Sequence, residues 1–191
     1  MKPLALFSGV LALAAPLAFA QTSTWAPDKA HSEVEFSILH MSLARVTGRL
    51  GNITGTVTMD EADTAKSSVN VTIDMSTIDT GVSMRDNDLK SAGFFDVAQF
   101  PTATFVSTSV AKTANGLTVN GNLTLHGVTK PVTLEAEGPA GPVPGMDHKP
   151  HTGWSASTTV SRSAFGIGAK YPNSMVGDDV KLTINLDIAK Q

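Results

Sequence analysis

Cysteine is absent from this sequence of 191 residues. Disulfide staples, thiolate nucleophiles and cysteine zinc sites are therefore excluded together, and stability must come from an ordinary apolar core. An excess of basic charge is also missing. Lys+Arg number 14 against 17 Asp+Glu, with both signs scattered along the chain, so neither nucleic acid nor a polybasic membrane patch is indicated. No G-x-S-x-G nucleophile elbow occurs. Beyond residue 20 no apolar run approaches the length a membrane-spanning helix needs.

At the N-terminus, Lys2 precedes an apolar run from Leu4 to Leu17 and then Ala18-Phe19-Ala20, a small-x-small cleavage site ahead of Gln21. This predicts a secretory signal peptide over residues 1–20 and export to the periplasm. With no cysteine at the cleavage point, a lipoprotein anchor is not expected. Removal of Lys2 takes Lys+Arg from 14 to 13, and 13 − 17 gives a mature net charge of −4. Residues 21–191 suit one domain and are too few for two ordinary ones.

Period two dominates that domain. Val34, Phe36 and Ile38 alternate with polar neighbours, as do Gly55, Val57 and Met59. Val69, Val71, Ile73 and Met75 continue the pattern, and Val180, Leu182, Ile184, Leu186 and Ile188 form its longest instance. Alternation sorts side chains onto two faces of a strand, one buried and one wet. Further strand-like runs cover about 103–111, 117–125, 129–137 and 153–162, separated by turn signals at Gly51-Asn52, Asn115-Gly116 and His126-Gly127. Roughly eight antiparallel strands result, at spacings typical of a sandwich or barrel. Only Ser83 to Ser91 reads as helix, opened by a Ser83 cap and stopped at Gly93, a lid for one end of the β structure. Phe94, Phe95 and Phe100 follow it as an apolar cluster, and the Pro/Gly-rich stretch 138–152 reads as a long exposed loop.

The reactive side chains are sparse. Asp28, His31 and Ser32 have the residue types of a hydrolase triad, but sit too close in sequence to imply triad geometry. Asp79, Asp86 and Asp88 surround the helix start, where the helix dipole favours carboxylates, and Arg85 beside them predicts a local ion pair. Met146, His148 and His151 could bind copper, although the spacing is unspecific and no fourth ligand is identified. No metal site and no catalytic residue is assigned. The sequons at Asn52, Asn70 and Asn122 read as chance. A barrel of eight strands either fills its interior with side chains or encloses one ligand, and the pattern does not distinguish the two.

Trp25, Asp28 and His31-Ser32 before Val34 and Phe36, then Ser76-Thr77-Ile78-Asp79-Thr80, Arg85-Asp86 with Leu89, and Phe94-Phe95-Asp96 occur in that order. Phe100-Pro101, the run from Leu123-Thr124-Leu125-His126-Gly127 to Val132, Arg162, Phe165-Gly166 and Gly177-Asp178 complete the series. In this, nearly the whole mature chain resembles the YceI-like family of exported, lipocalin-like polyisoprenoid-binding proteins. It departs from them at Asp88, where members often carry His, at Leu50, where an aromatic is usual, and over 146–151.

The resemblance implies an all-β, eight-stranded antiparallel up-and-down barrel with a short capping helix near 83–91. It implies a periplasmic binding protein rather than an enzyme, holding a long isoprenoid lipid such as a quinone or a polyprenyl phosphate and no other cofactor. On that reading Val34, Phe36, Ile38, Val57, Val71, Ile73, Phe105 and Ile184 face the tail, and Phe94, Phe95 and Phe100 line or close the mouth. His40, Arg85 and Arg162 are the candidates for the head group, Arg because its fork fits phosphate oxygens. Each methylene removed from water contributes about 0.8 kcal/mol, but a tail in a bilayer is already out of water, so loading is nearly neutral and suits a carrier. Expected partners are the lipid and, transiently, a membrane, with a monomer or homodimer as the assembly. Two other classes stay open: an enzyme acting on an isoprenoid substrate through His40 or Asp88, and a copper-handling or quinone-delivering partner protein.

Overall fold

The alternating segments become ten strands: β1 (Thr22–Pro27), β2 (Glu33–His40), β3 (Ala44–Leu50), β4 (Thr54–Asp60), β5 (Ser68–Asp74), β6 (Thr102–Lys112), β7 (Gly116–Leu125), β8 (Val128–Pro144), β9 (Pro150–Ser161) and β10 (Val176–Lys190). The single α-helix among the described residues, α1, is Ser83–Lys90. This computed structural model describes residues 22–191, so the expected signal peptide over 1–20 lies outside the described residues.

Ten strands form eight staves, because two staves are each made of two strands end to end. β1 and β2 both run antiparallel to β10, Trp25 opposite Lys190 and Val34 opposite Ile184. β3 and β4 lie beside them in the same way, Gly48 opposite Phe36 and Val57 opposite Trp25. From β4 the order runs β5, β6, β7, β8, β9, β10 and back to β1. The result is the closed eight-stranded antiparallel barrel that the alternation and the family resemblance predict. Closure removes the free edges that an open sheet would expose.

The break between β1 and β2 is bridged by a side chain. The Asp28 N–H donates to the Asp187 carbonyl at 2.8 Å. The Ser32 hydroxyl donates to the same carbonyl at 2.9 Å and accepts from the Asp187 N–H at 3.1 Å. Ser32 is thereby committed to the sheet. The ladder continues across residues that have left it, and the three groups with the residue types of a triad do not form one.

Three local expectations are corrected. The 138–152 stretch is mostly strand, since β8 and β9 extend into a hairpin whose tip is Gly145 to Lys149. Irregular register between Glu137 and Ala140 and again between Ala140 and Val143 accommodates Pro139 and Pro142, which have no N–H for a ladder. The β6–β7 turn spans Thr113 to Asn115, with the Thr113 N–H donating to the Gly116 carbonyl at 2.9 Å, instead of an Asn-Gly pair. His126-Gly127, with φ of 52° and 72°, does form the expected two-residue turn. Finally, α1 has Val82 rather than Ser83 at its N-cap and no side-chain cap there. Asp86 instead reaches back to accept the Thr80 N–H and hydroxyl.

α1 and the segment after it cover one end of the barrel. Met75 and Ile78, almost wholly buried, anchor the descent from β5, and the Arg49–Asp79 bridge ties it to β3. The Phe36 ring lies over Gly48, where a Cβ would overlap it and Thr80. Glycine at that register is what lets Phe36 fill the space between β3 and the cap.

Candidate functional site: an apolar cavity under the helix

Beneath α1 the inward faces of the strands enclose a cavity of about 420 Å³. Its floor and walls are Val34, Phe36 and Ile38 of β2, Ile73 of β5, Ala103 of β6, Leu123 of β7, Val160 of β9, and Val180 and Leu182 of β10. Leu89 of α1 and Phe94 and Phe95 behind it form the roof. The alternation explains this directly: each strand that enters the barrel points every second side chain at the same space. Leu182 and Val180 carry on the inward register that Ile184 begins, so the β10 pattern already contains them.

A second cavity, about 620 Å³, occupies the other end, where Val57, Val69, Val119, Trp154, Ala156, Ile184 and Leu186 face inward. Between the two lie Val71 and Phe105, both buried and lining neither. The Phe105 ring packs on Gly121, whose lack of a side chain admits it. The barrel interior is therefore two apolar chambers separated by a waist. Of the expected tail residues, the structure brings Val34, Phe36, Ile38, Ile73, Phe94 and Phe95 to the first chamber, Val57 and Ile184 to the second, and Val71 and Phe105 to the waist. Phe100 lines neither chamber and makes an edge contact with the His126 ring at 4.8 Å.

Among the described residues, polar side chains touch the first chamber only as His40, Arg85, Asp88, Arg162 and Tyr171. Arg85 donates to the Thr80 hydroxyl at 2.8 Å and the Thr80 carbonyl at 2.9 Å, in place of the ion pair expected from its acidic neighbours. Asp79 is engaged outside the chamber. The Gly81 N–H and then Arg49 hold its carboxyl below the usual carboxylate range. Asp88 and His40 stand exposed at the rim.

Arg162 has a different role from the one its chemistry suggests. It is 4 % exposed, and the loop joining β9 to β10 wraps around its guanidinium. Nε donates to the carbonyls of Val176 and Gly177, Nη1 to those of Ile167 and Gly168, and Nη2 to those of Tyr171 and Val176 and to Asn173 Oδ1. Every nitrogen of the fork is committed to the protein, so Arg162 holds up the chamber wall formed by Phe165, Ile167, Tyr171 and Met175. Tyr171 in turn stacks on Phe94 at 5.0 Å, joining that loop to the roof.

The model of the YceI-like domain matches residues 25–188. The chain belongs to that family. A stretch of 107 residues is 50 % identical to "Protein YceI" of Salmonella newport (strain SL254) and 49 % identical to that of Salmonella arizonae, covering 56 % of this chain and 56 % of each relative. The match thus spans about half the length of these curated relatives. Among solved structures, Burkholderia cenocepacia BcnA superposes with a TM-score of 0.71 at 26 % identity over 84 % of this chain and 98 % of that one. The Campylobacter jejuni YCEI protein gives 0.70 at 27 %, covering 78 % and 87 %. A polyisoprenoid binding domain from Saccharophagus degradans, at 13 % identity and 0.64 over 90 % of this chain and 100 % of its own, shares the fold.

The barrel of this chain thus gathers apolar side chains around its chambers, whereas the other chemistry suggested by the sequence is dispersed. Both ring nitrogens of His151 face carboxylates, Nδ1 at 2.6 Å from Asp187 and Nε2 at 3.1 Å from Asp147. Recruiting His151 to copper with the fully exposed Met146 and with His148 requires one ring nitrogen to give up its carboxylate. Nearby, Asp28, His31 and Asp187 bring one ligand atom each within 4.8 Å of one another, and that group could hold a metal ion. It lies at the β1–β2 break, away from the chamber.

Asp187 foremost, then Asp147, raises the His151 pKa above the ordinary histidine value, against the opposing effect of burial. A raised folded-state pKa means the contribution of the charged histidine is fully present below about pH 6.5 and is lost as pH rises through the folded value. Thermal midpoints of the wild type and His151→Gln should therefore differ most below pH 6.5 and converge in alkaline buffer. A gap independent of pH would show that His151 acts through packing alone.

Proposed function

We propose that this protein is an exported, non-enzymatic carrier or reservoir for a long-chain isoprenoid lipid, its tail in the apolar barrel and a compact, neutral head group of quinone type at the mouth. The observation that carries this reading is the chamber of about 420 Å³, whose walls are apolar except for Tyr171 and the internally bonded Arg162, and which gathers His40, Arg85 and Asp88 where it opens. That polarity profile fits a ligand with one long apolar end and one small polar end. The polyisoprenoid binding domain from Saccharophagus degradans, built on the same fold, supports the same class of cargo.

The charge at the mouth supports a neutral head group. A terminal phosphate carries between one and two negative charges near neutral pH. Arg162, the side chain best suited to bind it, already donates to six acceptors within the protein. What is left at the mouth is Arg85 and His40 against the carboxylate of Asp88. A quinone needs only hydrogen-bond donors to its carbonyls, and His40 and Arg85 supply them without charge to balance. The apolar Leu4–Leu17 run before Ala18-Phe19-Ala20 supports export and a periplasmic site of action.

The test is native mass spectrometry of the protein purified from its own host, followed by organic extraction, with uptake of a prenylated quinone and of a polyprenyl phosphate compared in detergent solution. The expected result is one quinone-type lipid per chain. Preference for the phosphate would overturn the head-group assignment, and failure to take up either lipid would overturn the cargo reading.

A further inference from the structure

Large apolar side chains stand exposed at eight positions among the described residues, and five of them, Met41, Leu43, Val82, Met84 and Met175, belong to the rim of the first chamber. They come from three separate segments. Met41, Ser42 and Leu43 form the three-residue tip of the β2–β3 hairpin between paired His40 and Ala44, with Met41 and Ser42 at φ of 51° and 56°. Val82 and Met84 begin α1, and Met175 ends the loop held by Arg162. The Met41 N–H donates to the Met175 carbonyl at 2.8 Å, and Met84 and Met175 both line the chamber, so the three segments meet around one opening.

Leu43 is 83 % exposed and Met84 77 %, so neither contributes to the core. A contiguous apolar patch of this kind marks an interaction surface. The cations beside it indicate what it meets. Arg45 is exposed two residues from Leu43, and Lys170, exposed next to Tyr171, has its Nζ 5.1 Å from that ring's centroid at the chamber wall. Of the nearby carboxylates, Asp79 pairs with Arg49, Asp86 accepts from Thr80 and Asp178 accepts from Ser161, which leaves Asp88 at the rim and Asp179 on β10. Apolar tips flanked by a long cationic side chain on each side match the layered chemistry of a bilayer surface, acyl chains below and phosphates above.

We propose that the mouth is a docking surface for an anionic lipid bilayer. The Met41–Leu43 tip, Val82, Met84 and Met175 enter the boundary between head groups and acyl chains, and Arg45 and Lys170 meet lipid phosphates. This rests on the cargo reading above and extends it. A tail leaving a bilayer through water exposes each of its methylenes at a cost, whereas an opening sealed against the acyl region lets the tail pass from one apolar phase to another. The apolar rim and the apolar chamber are then one continuous path.

The test is cosedimentation with vesicles of phosphatidylcholine alone and of phosphatidylcholine with phosphatidylglycerol, run beside uptake of a prenylated quinone from detergent. Met41→Asp with Leu43→Asp places aspartate where neither residue lines the chamber, and Asp tolerates the positive φ at position 41. This pair should bind mixed vesicles at least about tenfold more weakly than the wild type and keep its detergent uptake. Arg45→Glu with Lys170→Glu should lose binding only where phosphatidylglycerol is present. Val143→Asp with Met146→Asp, exposed apolar residues at the opposite end, should bind as the wild type does.

Rim variants that bind like the wild type, or an equal loss in the Val143/Met146 pair, would overturn the docking surface. So would a wild type that ignores vesicles while Met41→Asp with Leu43→Asp turns a dimer into a monomer, since that assigns the face to a second copy. Loss of quinone uptake by the wild type itself counts against the cargo reading alone, because vesicle binding is measured without quinone.

Discussion

Filling the first chamber should abolish loading without unfolding the barrel. Ala103 and Val160 both line it, from β6 and β9 on well-separated parts of the wall. Ala103→Phe with Val160→Phe puts two rings into space that is apolar and of the right size to accept them. Added bulk in a packed core costs about 1–3 kcal/mol in strain, but bulk placed in an existing cavity gains contacts that offset it. The thermal midpoint should stay within about 5 °C of the wild type, while quinone uptake from detergent falls at least about tenfold, a change of about 1.4 kcal/mol. Undiminished uptake would place the ligand outside the first chamber.

The companion substitution Ala156→Phe, in the second chamber, separates long tails from short ones. If a tail passes the waist at Val71 and Phe105, this variant should weaken long-chain quinones and leave short-chain ones unaffected. Equal effects on both would confine the ligand to one chamber.

How far the chamber is legible in the sequence depends on the range of the forces that set each part. Val180 to Ile188 alternates so regularly that strand and inward face follow from the side chains alone, as β10 shows. The stretch from Gly138 to Thr152 misleads because its Pro and Gly residues signal a loop locally. Pairing with β9 overrides that signal and places the prolines at irregular points of the register. The split between β1 and β2 is not legible at all, since it depends on Ser32 meeting the Asp187 backbone 155 residues away.

The site residues divide along the same line. Phe94 and Phe95 are legible because apolar rings next to a short polar helix have little reason to be there unless they face a cavity. Leu123 and Val160 escape a reading that recognises their strands, because choosing which face points inward requires the register between strands. Arg162 points to the head group only on the chemistry of its fork. A sequence displays a guanidinium's donors but not whether backbone carbonyls elsewhere in the chain already occupy them.

Arg162 is consequently the residue whose loss should damage the protein most. Truncation to Ala removes the hydrogen bonds to the carbonyls of Ile167, Gly168, Tyr171, Val176 and Gly177 and leaves several of them without partners. Each buried acceptor left unsatisfied costs about 1–3 kcal/mol, so the total should reach at least about 3 kcal/mol, or on the order of 10 °C in thermal midpoint. Lysine should not rescue it. An ammonium is a compact point charge with three donors, whereas the wall is organised around a planar fork that reaches carbonyls on several sides. Arg162→Lys should therefore unfold well below the wild type, and its folded fraction should load quinone poorly because Phe165, Ile167, Tyr171 and Met175 lose their common support. A lysine variant with wild-type stability and uptake would show that the loop stands without Arg162, and would return its charge to the candidates for the head group.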